Sequence, residues 1–161
     1  MKMTKPPTDF YLTEQLSGWQ LEIEEIYLSV YPQKKASEAA LLTRLIHSHV
    51  IYGIAASINA NLAGFILLQS TGDSADILEI CVRPVWQNSG VGRKLLQAGL
   101  ASPRTGQHSR VLLEVAEDNH IAQHLYHLAG FTLIGRRAQY YHRAEKRIDA
   151  LVMEKQLGSQ A

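Results

Sequence analysis

The segment Val82-Arg83-Pro84-Val85-Trp86-Gln87-Asn88-Ser89-Gly90-Val91-Gly92-Arg93-Lys94-Leu95-Leu96 constrains the fold more than any other part of the chain. A mostly apolar run, Asp76–Val82, stops before Pro84, and a polar loop follows. Two glycines then open a helical pattern in which Val91, Leu95, Leu96 and Leu100 share one face. A second apolar run, Arg110–Val115, stands where the chain must return. Strand, helix, strand with so short a loop is a crossover unit, and such units join parallel neighbours of one sheet.

The rest of the pattern fits around that unit. Leu16, Ile23, Ile26, Tyr27 and Val30 recur at helical spacing, which predicts a helix over Glu14–Tyr31, stopped by Pro32. Ser37 is the predicted N-cap of a second helix that buries Leu41, Leu42, Leu45 and Ile46. Val50–Ile58 and Leu62–Ser70 read as a hairpin around Asn59-Ala60-Asn61. Asn119 caps a predicted helix that runs through Leu128 and stops at Gly130, and Phe131–Gly135 and Ala150–Glu154 are two closing strands. Helices, a meander, then strand–helix–strand–helix–strand specify a mixed α/β sheet.

A chain of 161 residues suits one domain, residues 1–161, with a loose lead-in at 1–9 and a tail at 156–161. Sixteen Lys and Arg oppose fifteen Asp and Glu, so bulk charge does not tie the chain to nucleic acid, and any phosphate site must be local. The single cysteine, Cys81, builds neither a disulfide framework nor a thiolate metal site. His120, His124 and His127 have i, i+4, i+7 spacing without an acidic companion, so they read as a solvated helix face and no metal is expected. No apolar h-region follows the N-terminus, and Val50–Leu68 is interrupted by Gly53, Asn59, Asn61 and Gly64. No membrane partner is therefore expected, and the cytoplasm is the expected compartment.

The loop carries the chemistry. The first amides of a helix have no internal partner and point outward at the positive end of its dipole, so an anion there accepts several hydrogen bonds. Gly90 and Gly92 let the main chain approach a phosphate, and Arg93 and Lys94 add charge. The string lacks the Lys-Ser/Thr ending of a nucleotide-hydrolysing loop, and its glycines do not fit GxGxxG. Gln87-x-x-Gly90-x-Gly92 resembles the Q/R-x-x-G-x-G/A acetyl-CoA signature of the GNAT acetyltransferases. The resemblance implies a central six- to seven-stranded mixed sheet with flanking helices and splayed fourth and fifth strands. It also implies that the amides of Asn88, Ser89, Gly90, Val91, Gly92 and Arg93 bind the coenzyme diphosphate, and that Ile80, Cys81 and Val82 pair through their backbone with its pantetheine arm.

Moving an acetyl group from a thioester to an amine requires a base for the amine proton, a donor for the oxyanion and a proton for the departing thiolate. Glu114 interrupts the otherwise apolar Leu112-Leu113-Glu114-Val115, where a carboxylate is costly unless solvated or used, and burial would raise its pKa toward a base's range. Tyr126 follows on the next helix, with a phenol able to donate a proton to sulfur. The text Leu113-Glu114-Val115, Asn119, Ala122, Leu125-Tyr126, Gly130-Phe131 resembles the bacterial ribosomal-protein-alanine N-acetyltransferases of the RimI type, as do Arg136-Arg137-x-x-Tyr140-Tyr141 and Asp149–Met153. That resemblance spans about Asp76 to Met153. It implies Glu114 as base, Tyr126 as acid, Asn119 as a coenzyme contact, and the N-terminal alanine of ribosomal small-subunit protein eighteen as acceptor.

Three alternatives stand beside it. Glu79 on the preceding strand is a second candidate base, because some members of the superfamily use a carboxylate there. The first 75 residues resemble the RimI type less well: where it carries Pro-Trp-Ser/Thr, this chain reads Tyr31-Pro32-Gln33-Lys34-Lys35, which leaves a small amine or amino acid as an acceptor. A non-catalytic acyl-CoA-sensing module is the third. Glu22, Glu24 and Glu25 offer an acidic rim for an acceptor's arginine, and Cys81 reads as a small buried hydrophobe rather than a nucleophile.

Overall fold

The computed structural model describes residues 9–158, and the outer parts of the lead-in and tail, 1–8 and 159–161, lie outside them. Seven strands form one sheet in the order β1-β2-β3-β4-β5-β7-β6, with α1 to α4 between them. The strands are β1 (Phe10–Thr13), β2 (Ile51–Ile58), β3 (Asn61–Thr71), β4 (Ser74–Val82), β5 (Arg110–Ala116), β6 (Thr132–Arg143) and β7 (Lys146–Gln156). The helices are α1 (Gln20–Val30), α2 (Ala36–Leu45), α3 (Val91–Ala101) and α4 (His120–Leu128). The predicted crossover is present: β4 and β5 run parallel, in register from Ser74 with Arg110 to Ile77 with Leu113. Among the described residues, no helix is long and apolar enough to cross a membrane.

By their contacts the residues divide into two units. The first contains the residues up to Gln69 and Leu78–Ala101, and the second contains Ser70–Ile77 and the residues from Ser102 onward.

In the first unit, β3 is buried on both faces, which explains its unbroken apolar sequence. Phe65 and Leu67 join a cluster with Ile23, Ile26 and Tyr27 of α1 and Ala39 and Leu42 of α2. Ile66 and Leu68, pointing the other way, lie against Gly99 of α3. Asn59 and Ala60, both at positive φ (50° and 63°), close the hairpin between β2 and β3, the backbone twist that two-residue hairpins favour.

Gly64 is held by its surroundings. A Cβ there would stand 2.6 Å from the Cys81 carbonyl oxygen and 3.2 Å from Val82 Cα. Both atoms are backbone, so the neighbouring chain must move to admit even a methyl. Gly64→Ala is expected to cost about 2 kcal/mol, read as a fall of roughly 4–8 °C in Tm in a thermal scan. An unchanged Tm would show that the end of β4 yields freely.

Two expectations change at the N-terminal end. Phe10–Thr13, ahead of the predicted helix and assigned to no element in the sequence reading, form β1, which pairs antiparallel with β2 from Phe10 with Ile58 to Thr13 with Ala55. The helix begins only at Gln20, because Gly18 at φ 96° turns the chain after Leu16. The second helix begins two residues early, capped by Lys35, whose N–H donates to Glu38 Oε2 at 2.8 Å, so Ser37 lies inside it.

In the second unit, β5 pairs antiparallel with β7, and β7 with β6. Its core holds Val111, Leu113, Val115, Tyr126, Phe131, Ala150 and Met153. β6 runs past the predicted Gly135 to Arg143 by way of two register shifts. Polar contacts organise the second: the Gln139 N–H donates to Asp149 Oδ1 at 2.8 Å, and Arg136 pairs with Asp149 at 3.0 Å and with Glu117 at 2.7 Å.

Candidate active site

β4 ends at Val82, a 3₁₀ turn spans Pro84–Trp86, and α3 begins at Val91. The intervening loop is shaped by two left-handed residues, Asn88 (φ 60°) and Gly90 (φ 89°). Asn tolerates that region better than most side chains, and glycine enters it without strain. The Gln87 side-chain amide donates to the Val82 carbonyl at 3.1 Å, and the Ser89 hydroxyl donates to the Trp86 carbonyl, so the loop is tied back to the strand it leaves. The first helical bond of α3 runs from the Lys94 N–H to the Gly90 carbonyl at 3.1 Å. The amides of Val91, Gly92 and Arg93 precede it, in the stretch where a helix offers no internal acceptor. This is a cradle of the kind an anion fits. Arg93 is exposed beside it, whereas the Lys94 ammonium lies over the Phe10 ring, 4.4 Å from its centre.

The same unit contains the most perturbed carboxylate of the described residues. Glu79 points from β4 toward the end of α1, where the Tyr31 hydroxyl donates to Oε2 at 3.0 Å and the Cys81 thiol donates to the same oxygen at 3.7 Å. Burial pushes Glu79 up to about 7 against the pull of those two hydrogen bonds. Burial, then the charge of Glu79, pushes Tyr27 up to about 12, so this phenol stays neutral. Cys81 is 1% exposed, and burial followed by Glu79 holds its thiol well above its ordinary range, which suits the small buried hydrophobe read from the sequence.

In the second unit, β5 and α4 carry Glu114 and Tyr126. Glu114 is half-buried, and the Arg137 guanidinium of β6 donates to its Oε1 at 2.7 Å. Arg137 also lies over the Tyr140 ring at 4.2 Å. The ion pair satisfies the carboxylate on its apolar strand, a partner that the sequence reading of Glu114 did not include. Tyr126 is 8% exposed and meets Phe131 edge-on at 5.8 Å. Asn119 is the N-cap predicted for α4, its Oδ1 accepting the Ala122 N–H at 3.1 Å.

The acidic rim is largely engaged within the protein. Glu24 accepts from the Thr43 hydroxyl at 2.6 Å, and Glu25 pairs with Arg83 at 2.7 Å. Sequence reasoning also missed Tyr31 as a polar partner of Glu79. The two are 48 residues apart, and neither segment carries a signal of the contact.

Comparison with known proteins places this geometry in context. The model of the acetyltransferase (GNAT) family matches residues 16–131. The [ribosomal protein bS18]-alanine N-acetyltransferase of Haemophilus ducreyi is 36% identical over 81 residues, which cover 50% of this chain and 56% of that protein. The chain thus spans little more than half the length of that relative. Among solved structures, the ribosomal-protein-S18-alanine N-acetyltransferase of Escherichia coli superposes with a TM-score of 0.75 at 21% identity, over 95% of this chain and 99% of that one. The yncA protein of Salmonella typhimurium, solved with acetyl-CoA, superposes with a TM-score of 0.79 at 17% identity, over 94% and 96% of the two chains. At these identities the two structures show a shared fold.

Proposed function

The chain belongs to the acetyltransferase (GNAT) family, and from that premise we propose that it carries an acetyl group from acetyl-CoA to the N-terminal alanine of a ribosomal small-subunit protein, protein eighteen, in the cytoplasm. One observation carries the donor half of the reading: left-handed Asn88 and Gly90 turn the chain so that the amides of Val91, Gly92 and Arg93 open α3. A diphosphate fits there, held further by Asn88, Ser89, Gly90 and the Arg93 charge, with Ile80, Cys81 and Val82 supplying main-chain groups and Asn119 a further contact. Acetyl-CoA supplies the acetyl group as a thioester. The activity that the Haemophilus relative is named for supports the acceptor half. The family match runs through residues of both units, and the reading takes them as one domain.

The amine must lose a proton before it attacks, and a base works best with a pKa near the working pH. Burial gives Glu79 that property, at about 7. This reading therefore assigns the proton to Glu79 and the protonation of the thiolate to Tyr126. The RimI resemblance favours Glu114 instead. Its ion pair with Arg137 is no bar, since the two side chains are 31% and 53% exposed and such pairs contribute about 0–1 kcal/mol.

Incubation of the peptide Ala-Arg-Tyr-Phe with acetyl-CoA is expected to yield the N-acetylated peptide by mass spectrometry, with coenzyme A bound one to one in calorimetry. Binding without transfer to this peptide removes the ribosomal acceptor, and no binding removes the donor. A second acceptor class, a small primary amine, is favoured by the altered Tyr31–Lys35 turn and by the internal engagement of Glu24 and Glu25. A panel of small amines separates the two classes.

A further inference from the structure

Groups from three elements face the Glu79 carboxylate. From the C-terminal end of α1 comes the Tyr31 hydroxyl, at 3.0 Å from Oε2. The Cys81 thiol, from β4 itself, reaches the same oxygen at 3.7 Å. Lys34, in the turn after α1, acts on Glu79 through its charge, and the charge of Glu79 in turn acts on Tyr27, one turn earlier in α1. Glu38 of α2 faces Tyr27 and pairs with Lys34 at 3.0 Å.

Tyr31 is fixed along its length. Its N–H donates to the Tyr27 carbonyl at 2.9 Å, and its own carbonyl accepts from the Lys34 N–H at 2.9 Å. Its ring meets that of Tyr27 at 5.1 Å with a 59° tilt. Pro32 restricts the backbone of Tyr31 from the other side. These contacts fix the ring from which the hydroxyl reaches Glu79. Among the described residues, Tyr31 and Cys81 both engage Oε2, which leaves Oε1 as the oxygen to take a proton.

The geometry points to Tyr31 as the positioning residue of the reaction: from the turn between α1 and α2 it holds the Glu79 carboxylate through Oε2 and presents Oε1. This rests on the assignment of Glu79 as base. A donor to a carboxylate favours its ionised form, so the hydroxyl opposes the burial that raises Glu79. Tyr31→Phe keeps the ring and removes only that donor.

The test compares wild type with Tyr31→Phe across pH. A hydrogen bond to a charged group is worth enough to move a pKa by about one pH unit. The rise of kcat/KM with pH is expected to shift upward by that amount. Activity falls about tenfold below the wild-type midpoint and returns to within about twofold of wild type well above it. The ¹³C carboxyl resonance of Glu79, identified by its loss in Glu79→Gln, reports the same displacement without any acceptor. An equal loss at every pH with a lowered Tm, or a carboxyl midpoint that does not move, overturns the inference. Full activity of Glu79→Gln overturns the base assignment instead, and the resonance still decides whether Tyr31 holds the carboxylate.

Discussion

Glu79→Gln is expected to lower kcat/KM at neutral pH by about a hundredfold, the lower end of what a general base contributes. Glutamine preserves the shape of the side chain and can still accept from Tyr31, so the change removes basicity more than packing. The sign of the accompanying pH effect follows from the cause of the shift. Burial raises Glu79 to about 7, and only the ionised form accepts a proton, so wild-type activity climbs as pH rises through that value. In the variant this climb is absent. The same substitution at Glu114 releases Arg137 and is expected to cost less than about threefold in kcat/KM, because an exposed ion pair contributes little. Should Glu114→Gln instead produce the hundredfold loss while Glu79→Gln keeps its rate, the base is Glu114, as the RimI resemblance implies.

Phe65→Ala is expected to destabilise the fold by about 3–5 kcal/mol, measured by urea unfolding. Phe65 is fully buried on β3, where Ile23 and Ile26 of α1 and Leu42 of α2 meet the sheet. Its removal leaves a cavity among residues anchored to three elements, and none of them can collapse into it without lifting a helix. Against a typical total of about 5–15 kcal/mol, such a loss is a large fraction of the whole stability. A loss under about 1 kcal/mol would show that α1 and α2 are not sealed onto β3 as tightly as the packing indicates.

Where periodicity and burial coincide, the sequence was readable. The hairpin at Asn59-Ala60, the crossover from β4 through α3 to β5 and the cap at Asn119 all appear within a few residues of their expected places. β1 was hidden because a four-residue strand is too short to show alternation, and Tyr11 and Leu12 are exposed. The far half of β6 was hidden for a related reason: Arg136–Arg143 is mostly polar and solvent-facing, and its pairing is made by backbone across register shifts. At the site, Gln87–Gly92 and Glu114 could be read because glycines in a loop and a charge on an apolar strand break a pattern, whereas Glu79 entered only through the likeness to other members of the superfamily. The hydrogen bond between Tyr31 and Glu79 and the ion pair between Arg137 and Glu114 could not, since each joins residues distant in the chain and neither Tyr31 nor Arg137 breaks the pattern of its own segment.

β3 acts as a partition wall one residue thick. Phe65 looks toward α1 and α2, and Ile66 looks toward α3, so neighbours in the chain answer to different helices. A residue added to or lost from this strand would exchange the tenants of the two rooms for its whole length. Its length and phase are therefore far less free to drift than its individual side chains.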